Sequence, residues 1–121
     1  MKKILLIDDE SDITMLVSTL LEFYNYKVQT LNDPLQVIST LEKEKFDLVC
    51  TDIMMPNLDG IELIKRLRNN KKTESIKIIV LSAKEFTPVE YDFLTKNQVL
   101  LIKKPYEPTG LVHKIAQQLQ A

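Results

Sequence analysis

Four short apolar runs in the sequence each end in polar side chains that could do chemistry together. These side chains are Asp8 and Asp9, Asp52, Ser82, and Lys104. Three carboxylates held close together repel one another unless a cation offsets their charge. Mg²⁺ binds carboxylate, water and phosphate oxygens, and a hydroxyl and an ammonium can hold the remaining oxygens of a phosphoryl group. These residue types therefore predict a magnesium-dependent phosphate site, provided that the fold brings them together.

The elements that must position these residues are short strands that alternate with amphipathic helices. Four apolar runs lack polar alternation, which is typical of parallel strands covered on both faces, and they span residues 4–7, 48–50, 78–81 and 99–102. Residues 28–31 are more mixed, which predicts an edge strand. Ligands of such open sheets bind outside the carboxyl ends of the strands. The pattern therefore predicts that the polar side chains lie at one edge of the sheet.

Five helical segments follow these strands. Asp33-Pro34 predicts the start of the second helix, and the third starts near Asp59-Gly60. The fourth, residues 88–96, is predicted from length and position alone. In chain order, the apolar positions of the other four are Ile13, Leu16, Val17, Leu20, Leu21 and Tyr24; Leu35, Ile38 and Leu41; Ile61, Ile64 and Leu67; and Leu111, Val112, Ile115, Ala116 and Leu119.

The length and the alternation together predict one α/β domain over residues 1–121. A chain of 121 residues with 45% hydrophobic residues can enclose one core. Five strand–helix units with right-handed crossovers give an open, doubly wound parallel sheet.

Composition excludes several other classes of protein. The 16 basic and 17 acidic residues give a net charge of -1, so we expect no nucleic-acid binding by this domain and no membrane binding. Two glycines cannot build a P-loop or a dinucleotide-binding motif, and one cysteine with one histidine cannot build a disulfide framework or a zinc site. No apolar run is long enough for a signal peptide or a membrane span. We therefore expect a cytoplasmic protein.

The ordered motifs resemble those of a response-regulator receiver domain, the phosphoacceptor of two-component signalling, along the whole chain. The matching segments are Asp8-Asp9-Glu10, Asp52-Ile53-Met54-Met55-Pro56 followed by Gly60, Ser82-Ala83, and Lys104-Pro105-Tyr106. The resemblance implies a flavodoxin-like sheet of order 2-1-3-4-5 with five helices. It also implies a cis peptide bond between Lys104 and Pro105.

The resemblance further implies a role for each residue of the site. Asp52 would take a phosphoryl group from the phosphohistidine of a sensor histidine kinase or a phosphotransfer protein, and the domain would promote its own phosphorylation and dephosphorylation without being a conventional enzyme. Ser82 and Lys104 would hold the phosphoryl group. The Mg²⁺ ligands would be Asp8, Asp9, Asp52 and the backbone carbonyl of Met54. Residues 87–98, the fifth strand and the last helix would form the face offered to a downstream protein target, which the sequence does not identify.

Two residues depart from the family pattern, and two others occupy positions that tune the lifetime of the phosphoryl group in this family. Leu101 replaces the aromatic residue that commonly stands three positions before the lysine, and Asn97 stands where the family tends to place glycine. Met54 cannot orient an attacking water, which predicts slow autodephosphorylation, whereas the effect of Lys84 is left open.

Two other functions remain open at this point. A pseudo-receiver would bind partners without phosphorylation, and a phosphatase of the haloacid dehalogenase type would share the acyl-phosphate chemistry. That phosphatase needs a second acid where this chain has Met54. We expect a stand-alone receiver, with a piece of a longer protein as the alternative.

Several other residues are expected to be structural. Cys50 is predicted to be a small core residue, and Lys103 and His113 are predicted to be solvated. The basic run 65–72 is predicted to complement a helix dipole, with a docking patch for an acidic partner as the other reading.

Overall fold

The computed structural model describes residues 1–8, 11–53 and 58–120. Within these ranges the chain forms a five-stranded sheet whose strands are β1 (Lys3–Ile7), β2 (Lys27–Leu31), β3 (Leu48–Asp52), β4 (Lys77–Ser82) and β5 (Val99–Lys103). The order is β2-β1-β3-β4-β5, and each neighbouring pair is parallel. This topology confirms the predicted flavodoxin-like α/β fold, with β2 at an edge.

Five α-helices connect the strands. They are α1 (Ser11–Phe23), α2 (Val37–Lys43), α3 (Gly60–Arg68), α4 (Pro88–Lys96) and α5 (Pro108–Gln120). A short 3₁₀ turn, Pro34–Gln36, precedes α2. Among the described residues, no helix is long and apolar enough to cross a bilayer.

Aspartate caps lie at two of the predicted helix starts, but Asp33 caps the 3₁₀ turn, and α2 itself begins at Val37 without a side-chain cap. The Asp33 carboxylate accepts a hydrogen bond from the backbone amide of Leu35 at 3.0 Å, and the Asp59 carboxylate accepts one from the amide of Ile61 at 2.6 Å. Each cap satisfies an amide that has no partner within the helix. Asp59 matters most for the site, because it fixes the start of α3 a few residues after Asp52.

A capping box fixes α4, the helix predicted from length and position alone. Thr87 Oγ1 accepts a hydrogen bond from the amide of Glu90 at 3.2 Å, and Glu90 Oε1 accepts one from the amide of Thr87 at 2.9 Å. Pro88 occupies the first helical position, where its missing N–H costs nothing. The motif Thr87-x-x-Glu90 is visible in the sequence and supplies the local signal that the apolar pattern lacks.

Side chains of the sheet alternate between two buried cores. One core lies between the sheet and α2, α3 and α4, and contains Leu5, Ile7, Val49, Ile78 and Val80. The other lies between the sheet and α1 and α5, and contains Ile4, Leu6, Cys50, Ile79, Leu81 and Ile102. Because successive residues of a strand face opposite sides, this alternation also decides which way the residue after each apolar run points.

Some residues that were predicted to lie in the core are exposed, because the apolar face of a helix is wider than the surface against which it packs. On α1, Val17 and Leu21 are buried, but Leu16 is 52% exposed, and Tyr24, just after the end of α1, is 51% exposed. Leu35 is 54% exposed, since it lies in the 3₁₀ turn before α2. The side chain of Ile13 lies outside the described part of the structure. Helix α1 packs at the border of the sheet against β2 and α5, so only a narrow strip of it is covered.

Arg68, in the last turn of α3, belongs to the basic run that was predicted to complement the helix dipole. Its guanidinium donates hydrogen bonds to the backbone carbonyls of Asn97 at 2.9 Å, Glu74 at 3.0 Å and Ile76 at 2.6 Å. Partial burial lowers the pKa of Arg68 from its ordinary value. Arg68 therefore also ties the end of α3 to the segment before β4 and to the end of α4.

The left-handed residue at the end of α4 is Gln98, one position after Asn97, which stands where the family tends to place glycine. Gln98 has φ of 56°, whereas Asn97 has φ of -94° and its side chain donates a hydrogen bond to the carbonyl of Phe93 at 2.8 Å. A side chain with a Cβ is strained in the left-handed region. The helix therefore ends one residue later than a glycine at 97 would place it.

Replacing Gln98 with glycine should raise the free energy of unfolding by about 1 kcal/mol, because glycine adopts positive φ without the Cβ clash. Urea unfolding curves measure this change. The control is Asn97→Gly, which should lower stability instead, since it removes the hydrogen bond to Phe93 at a negative φ. Equal effects at the two positions would contradict the assignment of strain to Gln98.

Candidate functional site

Three of the predicted site residues converge at the carboxyl edge of the sheet. Asp8, Asp52 and Lys104 continue the alternation of β1, β3 and β5 on the face covered by α1 and α5. Lys104 Nζ lies 2.7 Å from Asp52 Oδ2 and 3.8 Å from Asp8 Oδ2. Lys104 therefore points into the site, and both carboxylates face one ammonium.

Burial makes these charges interact strongly. Asp8 is 1% exposed and Asp52 is 7% exposed, and the side chain of Lys104 is 19% exposed. Charges that are withheld from water attract and repel through a lower effective dielectric than charges at the surface. Two carboxylates against one ammonium leave a surplus of negative charge among the described groups, which suits a hard cation with oxygen ligands.

The two predicted ligands that the structure describes, Asp8 and Asp52, fit a magnesium site. Asp9 and Met54, the other two predicted ligands, lie outside the described residues. Within the described ranges, no cluster of three or more His, Cys, Asp or Glu side chains is placed to hold a metal, since Asp8 and Asp52 are two. Both are carboxylates, which is the chemistry that Mg²⁺ prefers.

Ser82 reaches the same edge from the other face of the sheet. It follows Leu81, the register partner of Asp52, and its backbone carbonyl accepts a hydrogen bond from the amide of Lys104 at 2.9 Å. Its side chain is buried, and Oγ accepts a hydrogen bond from the backbone amide of Lys84 at 2.9 Å. Ser82 therefore connects the site to the loop that leads to α4.

Cys50, two residues before Asp52 in β3, is a fully buried free thiol. Burial raises the pKa of Cys50 above its ordinary value, and the negative charges of Asp8 and Asp52 raise it further. The thiol stays protonated, as expected for the predicted core residue.

His113 is exposed on α5, and Lys103 is exposed and pairs with Glu85 at 2.8 Å.

An apolar cavity of about 480 Å³ opens beside Lys104. Its lining includes Leu16 and Val17 of α1, Ala83, and Tyr106, and the Lys104–Pro105 peptide bond at its side is cis, as expected. Burial raises the pKa of the Tyr106 hydroxyl to about 12, and this hydroxyl has no hydrogen-bond partner among the described residues. The cavity is a feature that the sequence did not predict, since its members come from three separate segments.

Comparison with known proteins identifies the family. A family model described as the response regulator receiver domain matches residues 4–116. The chain belongs to this family. It is similar to the response regulator GtcR of Aneurinibacillus migulanus, with 37% identity over 119 residues, 98% of this chain and 48% of that protein. It is also similar to the regulatory protein VanRc of Enterococcus gallinarum, with 32% identity over 119 residues, 98% of this chain and 50% of that protein.

A solved structure agrees with the fold of this receiver domain. The CheY-like response regulator receiver domain protein of Methanospirillum hungatei superposes with a TM-score of 0.89 at 27% identity, covering 99% of this chain and 94% of that one. The chain spans about half the length of the curated relatives it matches. By its family, the chain is a receiver domain of two-component signalling.

The receiver domain also carries a set of contacts around Lys84 that sequence reasoning missed. Lys84 Nζ lies 2.6 Å from Glu90 Oε2 and 5.4 Å from the centre of the Phe86 ring, and Phe86 packs edge-to-face on Tyr91 at 5.6 Å. The capping-box motif could have located Glu90, but nothing in the sequence pairs it with Lys84. These contacts join the loop after Ser82 to the first turn of α4.

Proposed function

We propose that Asp52 of this receiver domain accepts a phosphoryl group and that phosphorylation changes the surface offered to a partner protein. The observation that supports this best is the buried Asp52 carboxylate with the Lys104 ammonium 2.7 Å away and a second carboxylate, Asp8, beside it. Such a carboxylate can act as a nucleophile, because the ammonium offsets charge that would otherwise accumulate when a phosphoryl group approaches.

The donor would be a phosphohistidine of a sensor histidine kinase or of a phosphotransfer protein. The bond between phosphorus and the imidazole nitrogen breaks, a bond between phosphorus and an Asp52 oxygen forms, and the leaving imidazole takes up a proton. Lys104 would then hydrogen-bond the new phosphoryl oxygens, and the Ser82 hydroxyl would donate its hydrogen to another.

Magnesium is part of this proposal. Asp8 and Asp52 would hold the ion together with Asp9 and the carbonyl of Met54, two residues outside the described ranges. When bound, Mg²⁺ would offset the charge of the phosphoryl oxygens during transfer. The residues of this chain would do the rest, since Lys104 and Ser82 orient the phosphoryl group on Asp52.

The cavity beside Lys104 is a suitable docking place for the donor. A phosphohistidine must come within bonding distance of Asp52, so the donor protein must contact the rim of the site. The rim there is apolar, and Leu16 is half exposed at its border. We therefore propose that a hydrophobic part of the donor covers this cavity during transfer. The free thiol of Cys50 is compatible with the cytoplasmic location that we propose for this exchange.

Incubation with acetyl phosphate and Mg²⁺ tests the proposal. Intact-mass spectrometry should show a gain of about 80 Da, the mass of one phosphoryl group, in the wild-type chain and none in Asp52→Asn. Chelation of Mg²⁺ should suppress the gain. The control Asp92→Asn removes an aspartate from the surface of α4, where it pairs with Lys96 at 2.9 Å, and should keep the full gain.

Two results would overturn the phosphoacceptor function. A folded wild-type chain that stays at its unmodified mass would favour a pseudo-receiver, and sustained turnover of small phosphate esters would favour a phosphatase. We also propose that residues 1–121 form a single domain and that each site residue has the role described above. The downstream target would be a protein that is not yet identified.

A further inference from the structure

Hydrogen bonds hold the loop between β4 and α4 to Ser82 at its start and to the first turn of α4 at its end. At its start, Ser82 Oγ accepts a hydrogen bond from the backbone amide of Lys84 at 2.9 Å. Ser82 directly follows Leu81, the register partner of Asp52. The backbone of Lys84 is therefore held by Ser82, which lies at the same edge of the sheet as Asp52.

In this structure the Lys84 ammonium is bound to α4. It lies 2.6 Å from Glu90 Oε2, and the two side chains are 37% and 24% exposed. The other carboxylate oxygen of Glu90 accepts the hydrogen bond from the Thr87 amide that caps α4. Glu90 thus holds Lys84 with one oxygen and the start of the helix with the other. The hydrogen bond from Lys84, followed by that from the Thr87 amide, lowers the pKa of Glu90, as expected for a carboxylate engaged on both sides.

The rest of the loop has anchors besides Lys84. Glu85 pairs with Lys103 of β5 at 2.8 Å, and Phe86 is buried in the core on the α4 side with its ring edge-to-face to Tyr91. The Lys84 side chain can therefore change its partner without moving the whole loop.

We propose that the Lys84–Glu90 ion pair is a latch, which the phosphoryl group on Asp52 opens by drawing the Lys84 ammonium away from α4. This inference rests on the proposed phosphorylation of Asp52. A partly exposed ion pair is weak, whereas charge-assisted hydrogen bonds to a phosphoryl group are strong, so the exchange favours the phosphoryl group. Glu90 then loses its cation, and the Phe86 ring loses the ammonium above it.

The latch gives this chain a route from the site to its surface that does not need an aromatic residue at Leu101. The first turn of α4 carries the 78% exposed Val89 and the partly exposed Tyr91, whose ring packs on Phe86. Release of Glu90 and Phe86 from Lys84 loosens this turn and changes the apolar surface that it presents. The partner that senses phosphorylation would therefore contact α4 at this turn.

Two variants separate the latch from the helix cap. Glu90→Gln removes the charge that holds Lys84 but keeps a carbonyl oxygen for the Thr87 amide, since glutamine also completes a capping box. Lys84→Met removes the ammonium and keeps the length of the side chain. Asp92→Asn, which breaks the Lys96–Asp92 pair on the same helix, is the matched control.

The experiment measures the lifetime of the phosphoryl group and the hydrogen exchange of α4. After phosphorylation with acetyl phosphate and removal of the donor, Glu90→Gln should lengthen the lifetime by about threefold, the scale of a partly exposed ion pair, because Lys84 is free to hold the phosphoryl group. Lys84→Met should shorten it, and adding Glu90→Gln to Lys84→Met should change nothing further. Phosphorylation should also speed amide exchange over residues 87–91 in the wild type but not in Lys84→Met.

The outcomes distinguish this inference from the function on which it rests. A wild-type chain that gains no mass overturns both. A normal gain of mass with unchanged exchange over residues 87–91, or with additive effects of Glu90→Gln and Lys84→Met on the lifetime, overturns the latch alone. Asp92→Asn should match the wild type in every measurement.

Discussion

Replacing Lys104 with methionine should lower the free energy of unfolding by about 3 kcal/mol in the absence of divalent cations, because it leaves two buried carboxylates without the ammonium between them. Methionine keeps the length and the apolar stem of lysine, so the loss reports the charge and not a cavity. Urea unfolding in the presence of a chelator measures it. Millimolar Mg²⁺ should recover part of the loss, since an ion that binds only the folded chain stabilises it.

The control for this variant is the neighbouring lysine. Lys103→Met removes an ammonium that is exposed and paired with Glu85 at the surface, and it should leave the unfolding curve unchanged. Phosphorylation by acetyl phosphate should be slowed at least tenfold in Lys104→Met, roughly the cost of losing one charge-assisted hydrogen bond to the phosphoryl group, and unaffected in Lys103→Met. A Lys104→Met chain as stable as Lys103→Met would mean that the ammonium does not hold the two carboxylates together.

The sheet and its polar edge could be predicted from the sequence because both follow from simple periodicity. Unbroken apolar runs identified the strands, and the polar residue after each run marked the edge where they converge, which is how Asp52, Ser82 and Lys104 were found. The alternation of a strand also separates Lys103 from Lys104 correctly, since one is exposed and the other points into the site.

Other features depend on which segments pack together, and one sequence does not contain that information. The exposure of Leu16 follows from the position of α1 at the border of the sheet, and the pairing of Lys84 with Glu90 follows from the direction in which the loop enters α4. The shift of the left-handed residue from Asn97 to Gln98 has the same origin, since Asn97 finds a hydrogen-bond partner in the last turn of α4. The type of a residue indicates whether it tolerates the left-handed conformation, but not at which position the chain adopts that conformation.

Gly60 is a further case in which the sequence pointed to a residue but not to its physical role. Its φ is not positive, so the position does not need the conformational freedom of glycine. A Cβ built on Gly60 would lie 2.7 Å from the Cα of Ile53 and 3.1 Å from the carbonyl oxygen of Asp52. The amide of Gly60 also donates a hydrogen bond to the carbonyl of Ile53 at 2.8 Å. The start of α3 is therefore packed directly against the backbone that carries Asp52, and only a residue without a side chain allows this approach.

Gly60→Ala should consequently lower the free energy of unfolding by about 2 kcal/mol, the usual cost of forcing extra atoms into a packed core, and should slow the phosphorylation of Asp52. Gly110→Ala is the matched control, since the nearest atom to its Cβ would be Glu107 Cβ at 3.7 Å, and alanine in α5 should be neutral or stabilising by up to about 1 kcal/mol.

The double variant Gly60→Ala with Ile53→Val identifies the cause of the loss at Gly60. Valine removes Cδ1 of Ile53, which would lie 2.7 Å from the new Cβ, so the double variant should be more stable than the sum of the two single losses predicts. The Ile53 backbone stays in place, so recovery should be partial. Equal stabilities of Gly60→Ala and Gly110→Ala in urea unfolding would show that α3 does not need this close approach, and Asp52 would then owe its position to other contacts.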